Sequence, residues 1–142
     1  MDCERMKKWL KRYRKSLLCV ARLERKLEDL DERMCAIKSP DYSGMPKGGG
    51  TPITIDDILH DKVELEKRIR KLKAKSEKYK AETLEVIDTL DDPVHSAILE
   101  GYLVDCLSLD AVAENEGYSV RHIYREYEKA VEVLTENSAK CQ

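Results

Sequence analysis

Two long stretches, each with one apolar stripe, constrain the fold of this chain most. Residues 4–37 contain neither Gly nor Pro, and apolar side chains recur there in steps of four and three. This spacing is typical of helices that pack along one seam. The step from Val20 to Leu23 is three where four is due, so the stripe shifts within one long predicted helix. The seam consists of Met6, Leu10, Tyr13, Leu17, Val20, Leu23, Leu27, Leu30, Met34 and Ile37.

A second stripe at helical spacing follows a segment rich in Gly and Pro at residues 39–52. That segment holds four of the six glycines, which predicts a flexible connector. Two striped helices joined in this way fold back as an antiparallel hairpin or pair with the stripes of a second copy. The spacing does not choose between a hairpin and a homodimer. The second seam consists of Ile58, Leu65, Ile69, Leu72, Ser76, Tyr79, Thr83, Val86 and Leu90.

The C-terminal third has the spacing of a helix-turn-helix. Asp92 followed by Pro93 predicts the start of a helix. Ser108 can cap the next short helix, and Gly117 permits the left-handed backbone of a turn. Ser119 can then cap the last helix. The predicted buried face of that helix consists of Ile123, Tyr127, Ala130, Val131 and Leu134.

Together these patterns predict an all-α chain. Residues 1–90 are expected to form a long, coiled-coil-like antiparallel helical hairpin, and residues 91–136 a compact three-helix domain that contains the helix-turn-helix. Residues 137–142 are expected to form a tail. Charged residues make up 38% of the chain and Phe is absent, which favours long solvated helices over a thick globular core.

Composition makes several classes of function unlikely for such a chain. The five cysteines form no C-x-x-C pair and the three histidines are scattered, so we expect no metal site and no cofactor. Cys19, Cys35 and Cys106 are expected to pack as small apolar residues. No nucleophile, base and orienting group fall together, so we expect no enzyme activity. Without an apolar run long enough for a signal peptide or membrane span, we expect a cytoplasmic protein that does not enter a membrane.

Charge is distributed unevenly along the chain. Residues 1–38 carry 12 basic and 7 acidic side chains, whereas residues 92–142 carry 4 basic and 10 acidic side chains. The basic run near the N-terminus could contact phosphates, but such a run is more often a solvated helix face. The acidic balance of the C-terminal segment lowers its expected affinity for a polyanion.

Candidate binding residues lie on the exposed side of the last predicted helix. Arg121 and His122 fall in its first turn, where the helix dipole disfavours positive charge, and Tyr124 and Arg125 follow. The first turn of a recognition helix reaches base edges in the major groove, where Arg pairs bidentately with guanine. We therefore expect Arg121, His122 and Arg125 to contact bases of double-stranded DNA. Ser119 and Tyr124 are expected nearer the DNA backbone.

Two strings of residues carry a likeness to a known family. The first is Tyr102, Leu103, Leu107, Ser108, Leu109, Val112, Ala113, Gly117, Tyr118, Ser119, Arg121, His122 and Arg125, and the second is Ser39, Pro40, Gly44, Met45, Pro46, Gly48, Gly49 and Gly50. The chain resembles phage-encoded transcriptional regulators of the RinA/ArpU type, whose C-terminal domain is similar to the fourth region of bacterial sigma factors. Val120 departs from that pattern, which commonly has a polar or basic residue there, and Glu126 and Glu128 add negative charge. The resemblance implies a regulator of phage or prophage late genes that binds promoter DNA and could touch RNA polymerase in the bacterial host cell.

Two other classes of protein remain open. Small terminase subunits, which are DNA-packaging adaptors, also join a helix-turn-helix to long helices, and they assemble into rings. A structural coiled-coil protein could instead use its last helices to bind another protein. The number of subunits in solution distinguishes a ring-forming packaging adaptor from a regulator. The absence of DNA binding at low salt would favour a structural coiled-coil protein.

Overall fold

The computed structural model describes residues 2–38 and 55–140, and this part of the chain is helical without a strand. The predicted all-α class is therefore confirmed. The predicted connector at residues 39–52, Cys141 and the side chain of Ile37 lie outside the described residues. The helices are α1 (Cys3–Leu10), α2 (Arg12–Lys38), α3 (Ile55–Ile87), α4 (Pro93–Leu99), a π-helical turn (Glu100–Val104), α5 (Leu109–Glu116) and α6 (Val120–Lys140).

Contacts divide the chain into two compact units. The first unit comprises Met1–Leu17 and Lys75–Gln142, and the second comprises Leu18–Ala74. This division differs from the boundary near residue 90 that the sequence suggested, because the first helix and the end of α3 pack with the C-terminal helices. Whether residues 91–136 fold as a domain of their own stays a prediction.

In the second unit, α2 and α3 meet along their apolar stripes. Val20 and Leu23 of α2 pack with Leu65 and Ile69 of α3 in one small buried cluster. Two ion pairs flank the cluster: Lys62 Nζ lies 2.7 Å from Asp31 Oδ1, and Lys73 Nζ lies 3.0 Å from Glu24 Oε1. Later residues of α2 thus pair with earlier residues of α3, so the two helices run antiparallel in this unit.

The predicted single helix over residues 4–37 is interrupted at Lys11. The Nε of Arg12 donates a hydrogen bond of 2.9 Å to the carbonyl of Trp9. In a continuous helix that carbonyl would accept from the backbone amide four residues later, at Tyr13. The interruption therefore coincides with a side-chain hydrogen bond from the start of α2 to the last turn of α1.

The core of the first unit joins segments from both ends of the chain. The apolar residues at the centre of this core are fully buried, and burial of this kind supplies most of the favourable free energy of folding. The edge of the Tyr102 ring packs on Tyr127, with ring centroids 5.4 Å apart, and burial raises the pKa of Tyr127 to about 12. The core contains Met6, Leu10, Ile87, Leu90, Ile98, Leu99, Leu103, Leu109, Val112, Ala113, Ile123, Tyr127, Ala130, Val131 and Leu134.

The predicted helix caps of the C-terminal segment are present. Asp92 accepts from the amide of Val94, with Pro93 opening α4. Ser108 Oγ accepts from the amide of Ala111. Gly117 ends α5 with a left-handed backbone at φ 75°, which an L residue adopts only with strain. The predicted buried face of α6 is also confirmed, because all five of its apolar side chains are buried.

Between α4 and α5 the chain forms a π-helical turn that the sequence did not predict. Gly101 lies in this turn against Val112, and a Cβ at Gly101 would meet the Val112 side chain at 3.1 Å. The π-helical turn ends at Val104, and Cys106, two residues later, has a positive φ of 59°. This geometry brings the start of α5 close to the turn, because the amide of Leu107 donates to the carbonyl of Gly101 at 3.0 Å.

Three further predictions concern the cysteines, the C-terminal tail and entry into a membrane. Cys19 and Cys35 are exposed, so the expectation that they pack as apolar residues is wrong, whereas Cys106 is half-buried. Both exposed thiols lie beside the stripe of α2 rather than on it. Residues 137–140, predicted as tail, continue α6 because nothing in that stretch breaks a helix. Among the described residues, no helix is both long and apolar enough to cross a membrane.

Candidate functional site

The first two turns of α6 present an exposed face beside the turn at Gly117. Val120 and Tyr124 form one row on this face, and Arg121 and Arg125 form the neighbouring row, because residues four apart are neighbours on a helix surface. All four side chains are exposed. Ile123, between the two turns, is fully buried and fixes this face away from the core. We call Val120, Arg121, Tyr124 and Arg125 the α6 face.

The five residues predicted to bind DNA all lie within this short stretch, although they differ in exposure. Ser119, Arg121, Tyr124 and Arg125 are exposed. His122 is half-buried, and its ring packs against Tyr118 with centroids 4.9 Å apart. The predicted N-cap at Ser119 is present, because its Oγ accepts a hydrogen bond of 3.2 Å from the amide of His122.

Arg121 and Arg125 are charged side chains without a partner in the part of the chain that the structure describes. Within residues 2–38 and 55–140, neither side chain forms a hydrogen bond, an ion pair or a ring contact. Arg121 is the second residue of α6, where the positive end of the helix dipole opposes a cation by about 0.3–1 kcal/mol. Among the described residues no partner offsets the unfavourable charge of Arg121, whereas an external anion would offset it.

Acidic side chains beyond the α6 face are matched with cations. Glu126 Oε2 accepts a hydrogen bond of 2.8 Å from His95 Nε2 of α4, and Glu126 Oε1 accepts one of 3.3 Å from Lys129. Glu128 accepts a hydrogen bond of 2.9 Å from Lys7 of α1. Both carboxylates are thus paired within the chain.

These pairings shift the pKa values of Glu126 and Lys7. The hydrogen bond from His95, assisted by Lys129, lowers the pKa of Glu126, so this carboxylate stays charged to lower pH. The hydrogen bond to Glu128 raises the pKa of Lys7. The raised pKa keeps the Lys7 ammonium charged to higher pH.

Much of the basic run at the N-terminus is used inside the chain. Lys7 pairs with Glu128. Arg12 lies over the rings of Trp9 and Tyr79, at 4.2 Å and 4.4 Å from their centroids, and its guanidinium contacts Glu82 at 2.6 Å. These side chains therefore stabilise the first unit and do not form the solvated helix face that the sequence favoured. Their charges are not available as a phosphate-contacting patch.

Arg14 has a structural role that sequence reasoning missed. One of its guanidinium nitrogens, Nη1, donates to the carbonyls of Tyr102 and Leu107 at 2.8 Å and 3.1 Å. Its guanidinium also lies 4.5 Å from the centroid of the Tyr102 ring. Arg14 thus satisfies carbonyls on both sides of the bend that precedes α5. No local signal could have revealed this contact, because its partners lie 88 and 93 residues away.

Comparison with known proteins does not identify a relative of this chain. No protein-family model matches the chain, and neither a curated protein nor a solved structure is significantly similar to it. The function of the α6 face is therefore argued from its own chemistry. In the part of the chain that the structure describes, no three His, Cys, Asp or Glu side chains are grouped so that they could hold a metal ion.

Two grooves of the first unit differ in chemistry from the α6 face. One, of about 290 Å³, is mainly apolar and is lined by residues that include Met6, Trp9 and Leu134. The other, of about 240 Å³, lies between the π-helical turn and α5 and includes Glu100 and Glu116. The acidic side chains of the second groove make it unsuitable for a polyanion. Among these three surfaces, only the α6 face combines exposed guanidinium groups with exposed apolar groups.

Proposed function

We propose that this chain is a sequence-specific DNA-binding regulator of transcription. In this proposal α5 and α6 form a helix-turn-helix, and the first two turns of α6 enter the major groove of double-stranded DNA. The observation that carries the proposal is the pair of guanidinium groups on the α6 face, Arg121 and Arg125, which have no partner among the described residues. The charge of Arg121 is unfavourable at the N-terminus of α6, and both guanidinium groups would find acceptors on phosphates and base edges.

In this proposal the side chains at the start of α6 contact different parts of the DNA. Arg121 and Arg125 would pair with the O6 and N7 acceptors of guanine. Tyr124 would donate its hydroxyl to the DNA backbone, with Ser119 close to it at the start of the helix. His122 packs on Tyr118, so its contribution to base contacts would require that ring to turn outward. The pairing of Glu126 and Glu128 with internal cations removes a repulsion that would otherwise oppose the approach of phosphates.

The long helices α2 and α3 would position the DNA-binding helices or bind a partner protein. We propose that α2 and α3 form one helical hairpin, which either places two reading heads at a fixed spacing in a homodimer or docks a subunit of RNA polymerase. The family likeness makes phage or prophage late promoters the expected targets. Light scattering tests this part of the proposal: a monomer or dimer is expected, whereas a large ring would favour a packaging adaptor.

Replacement of Arg121 tests the proposed function. Duplexes that bind the protein are first selected from a randomised pool. Arg121→Ala should then weaken binding to the selected duplex by about 1–3 kcal/mol and relax the preference at one base pair. Lys8→Ala on α1 should weaken all duplexes alike or not at all. Fluorescence anisotropy at one fixed salt concentration measures both effects.

A matched control and a contrary result complete this test. Lys140→Ala removes an exposed cation from the last residue of the same helix, so it should leave the base preference unchanged. The proposal is wrong if the protein selects no duplex at low salt, or if Arg121→Ala binds the selected duplex as tightly as the unaltered chain.

A further inference from the structure

We infer that Val120 contacts the C5-methyl group of a thymine, so that the preferred DNA site places a thymine beside the guanine paired with Arg121. This inference rests on the proposed function and deepens it. It assigns a role to the residue that departs from the family pattern, and it names a base that the arginines alone would not select.

Exposure of apolar surface is concentrated at this place. Val120 is 43% exposed and Tyr124 is 50% exposed. Within residues 2–17 and 75–140, the large apolar side chains that are exposed are Tyr118, Val120 and Tyr124, all of them in a span of seven residues. Exposure of a single apolar residue is ordinary, but a cluster at the start of one helix marks an interaction surface.

Valine at this position does not favour the stability of the helix itself. As the first residue of α6, Val120 makes no buried contact with the core, and a β-branched side chain lowers helix propensity. A polar side chain at the same position would be solvated and could contact a phosphate. Valine offers only methyl groups, which suit an apolar partner.

The major groove contains one apolar group of matching size. Among the base edges, thymine alone presents a methyl group, and apolar side chains recognise it by contact. The rows of the α6 face lie side by side, so Arg121 and Val120 are positioned to contact neighbouring bases. A guanine contacted by Arg121 would therefore have a thymine next to it.

The charges beside Val120 favour DNA over an apolar protein surface as its partner. Arg121 and Arg125 border the apolar row and have no partner among the described residues. An apolar protein surface would bury these guanidinium groups without compensating their charge, which is costly. The major groove supplies acceptors for the guanidinium groups and a methyl group for Val120 at the same time.

Uracil provides the test, because it pairs like thymine and lacks only the methyl group. In the selected duplex, each thymine is replaced in turn by deoxyuridine, and dissociation constants are measured for the unaltered chain and for Val120→Ser. One replacement should weaken binding of the unaltered chain about fourfold, the effect of one buried methyl group. Val120→Ser should bind the thymine duplex several-fold more weakly and should not respond to that replacement.

Val63→Ser is the matched control, because Val63 is 47% exposed on α3 in the other unit. It should behave like the unaltered chain on every duplex. If no uracil replacement weakens binding while Arg121→Ala still does, the thymine inference is overturned and the proposed function stands. The inference is also overturned if Val120→Ser loses as much affinity as the unaltered chain when uracil replaces that thymine. If no duplex can be selected at all, the proposed function fails, and the inference fails with it.

Discussion

Leu10 connects the two ends of the chain, and its replacement tests whether the helices that carry the α6 face depend on the N-terminal segment. Leu10 is fully buried in the same core as Ile123 and Leu134. Truncation of a fully buried leucine to alanine costs about 2–5 kcal/mol, because transfer free energy is lost and a cavity remains. We take about 3 kcal/mol, which lowers the melting temperature of a unit of this size by roughly 12–24 °C.

Hydrogen exchange at the amides of α6 is the appropriate assay for Leu10→Ala, because it reports the opening of this helix separately from the second unit. Exchange at Ile123 and Tyr127 should accelerate by the factor that corresponds to the lost free energy. Leu18→Ala is the matched control: Leu18 is 61% exposed, so its truncation should change stability by less than about 0.5 kcal/mol. Unchanged protection of α6 in Leu10→Ala would refute the reasoning and would favour an independent domain at residues 91–136.

Two further predictions concern the C-terminal helices. Gly117→Ala should destabilise the first unit by about 1–2 kcal/mol, because Gly117 has a left-handed backbone at φ 75°, and Gly117→Asn should recover part of that loss in chemical denaturation. The lowered pKa of Glu126 predicts a pH dependence of stability. Its pairing with His95 stabilises the fold fully above the ordinary pKa of 4.5, and this contribution is lost as the pH falls through the lower pKa of the folded state. When thermal stability is measured at decreasing pH, Glu126→Gln should not show this loss of stability below pH 4.5. A pH profile of Glu126→Gln identical to that of the unaltered chain would contradict the assignment.

Local signals in the sequence were sufficient to predict much of the C-terminal segment. The caps at Asp92, Ser108 and Ser119 depend on side chains within three residues of the amides they satisfy. The turn at Gly117 depends on the conformational freedom of one residue. The buried face of α6 follows from its apolar spacing. For the same reason, the sequence also placed the residues of the candidate site together on one exposed side.

Features that depend on distant partners could not be predicted. Lys7 and Arg14 looked like members of a solvated basic run, but their partners lie on α6 and around the π-helical turn. The neutralisation of Glu128 by Lys7 was hidden for the same reason, and it changes the electrostatic argument about DNA. The interruption at Lys11 lies beside the hydrogen bond from Arg12 to the Trp9 carbonyl, and apolar spacing does not predict that side-chain bond.

The central claim is that the first two turns of α6 bind DNA, and nuclear magnetic resonance tests it most directly. The isotope-labelled chain is titrated with its selected duplex at low salt, and shifts of the backbone amides and arginine side chains are followed. The account predicts that the largest shifts fall at residues 118–125, with the Nε resonances of Arg121 and Arg125 among them. Shifts concentrated in α2 and α3, with residues 118–125 unmoved, would contradict it.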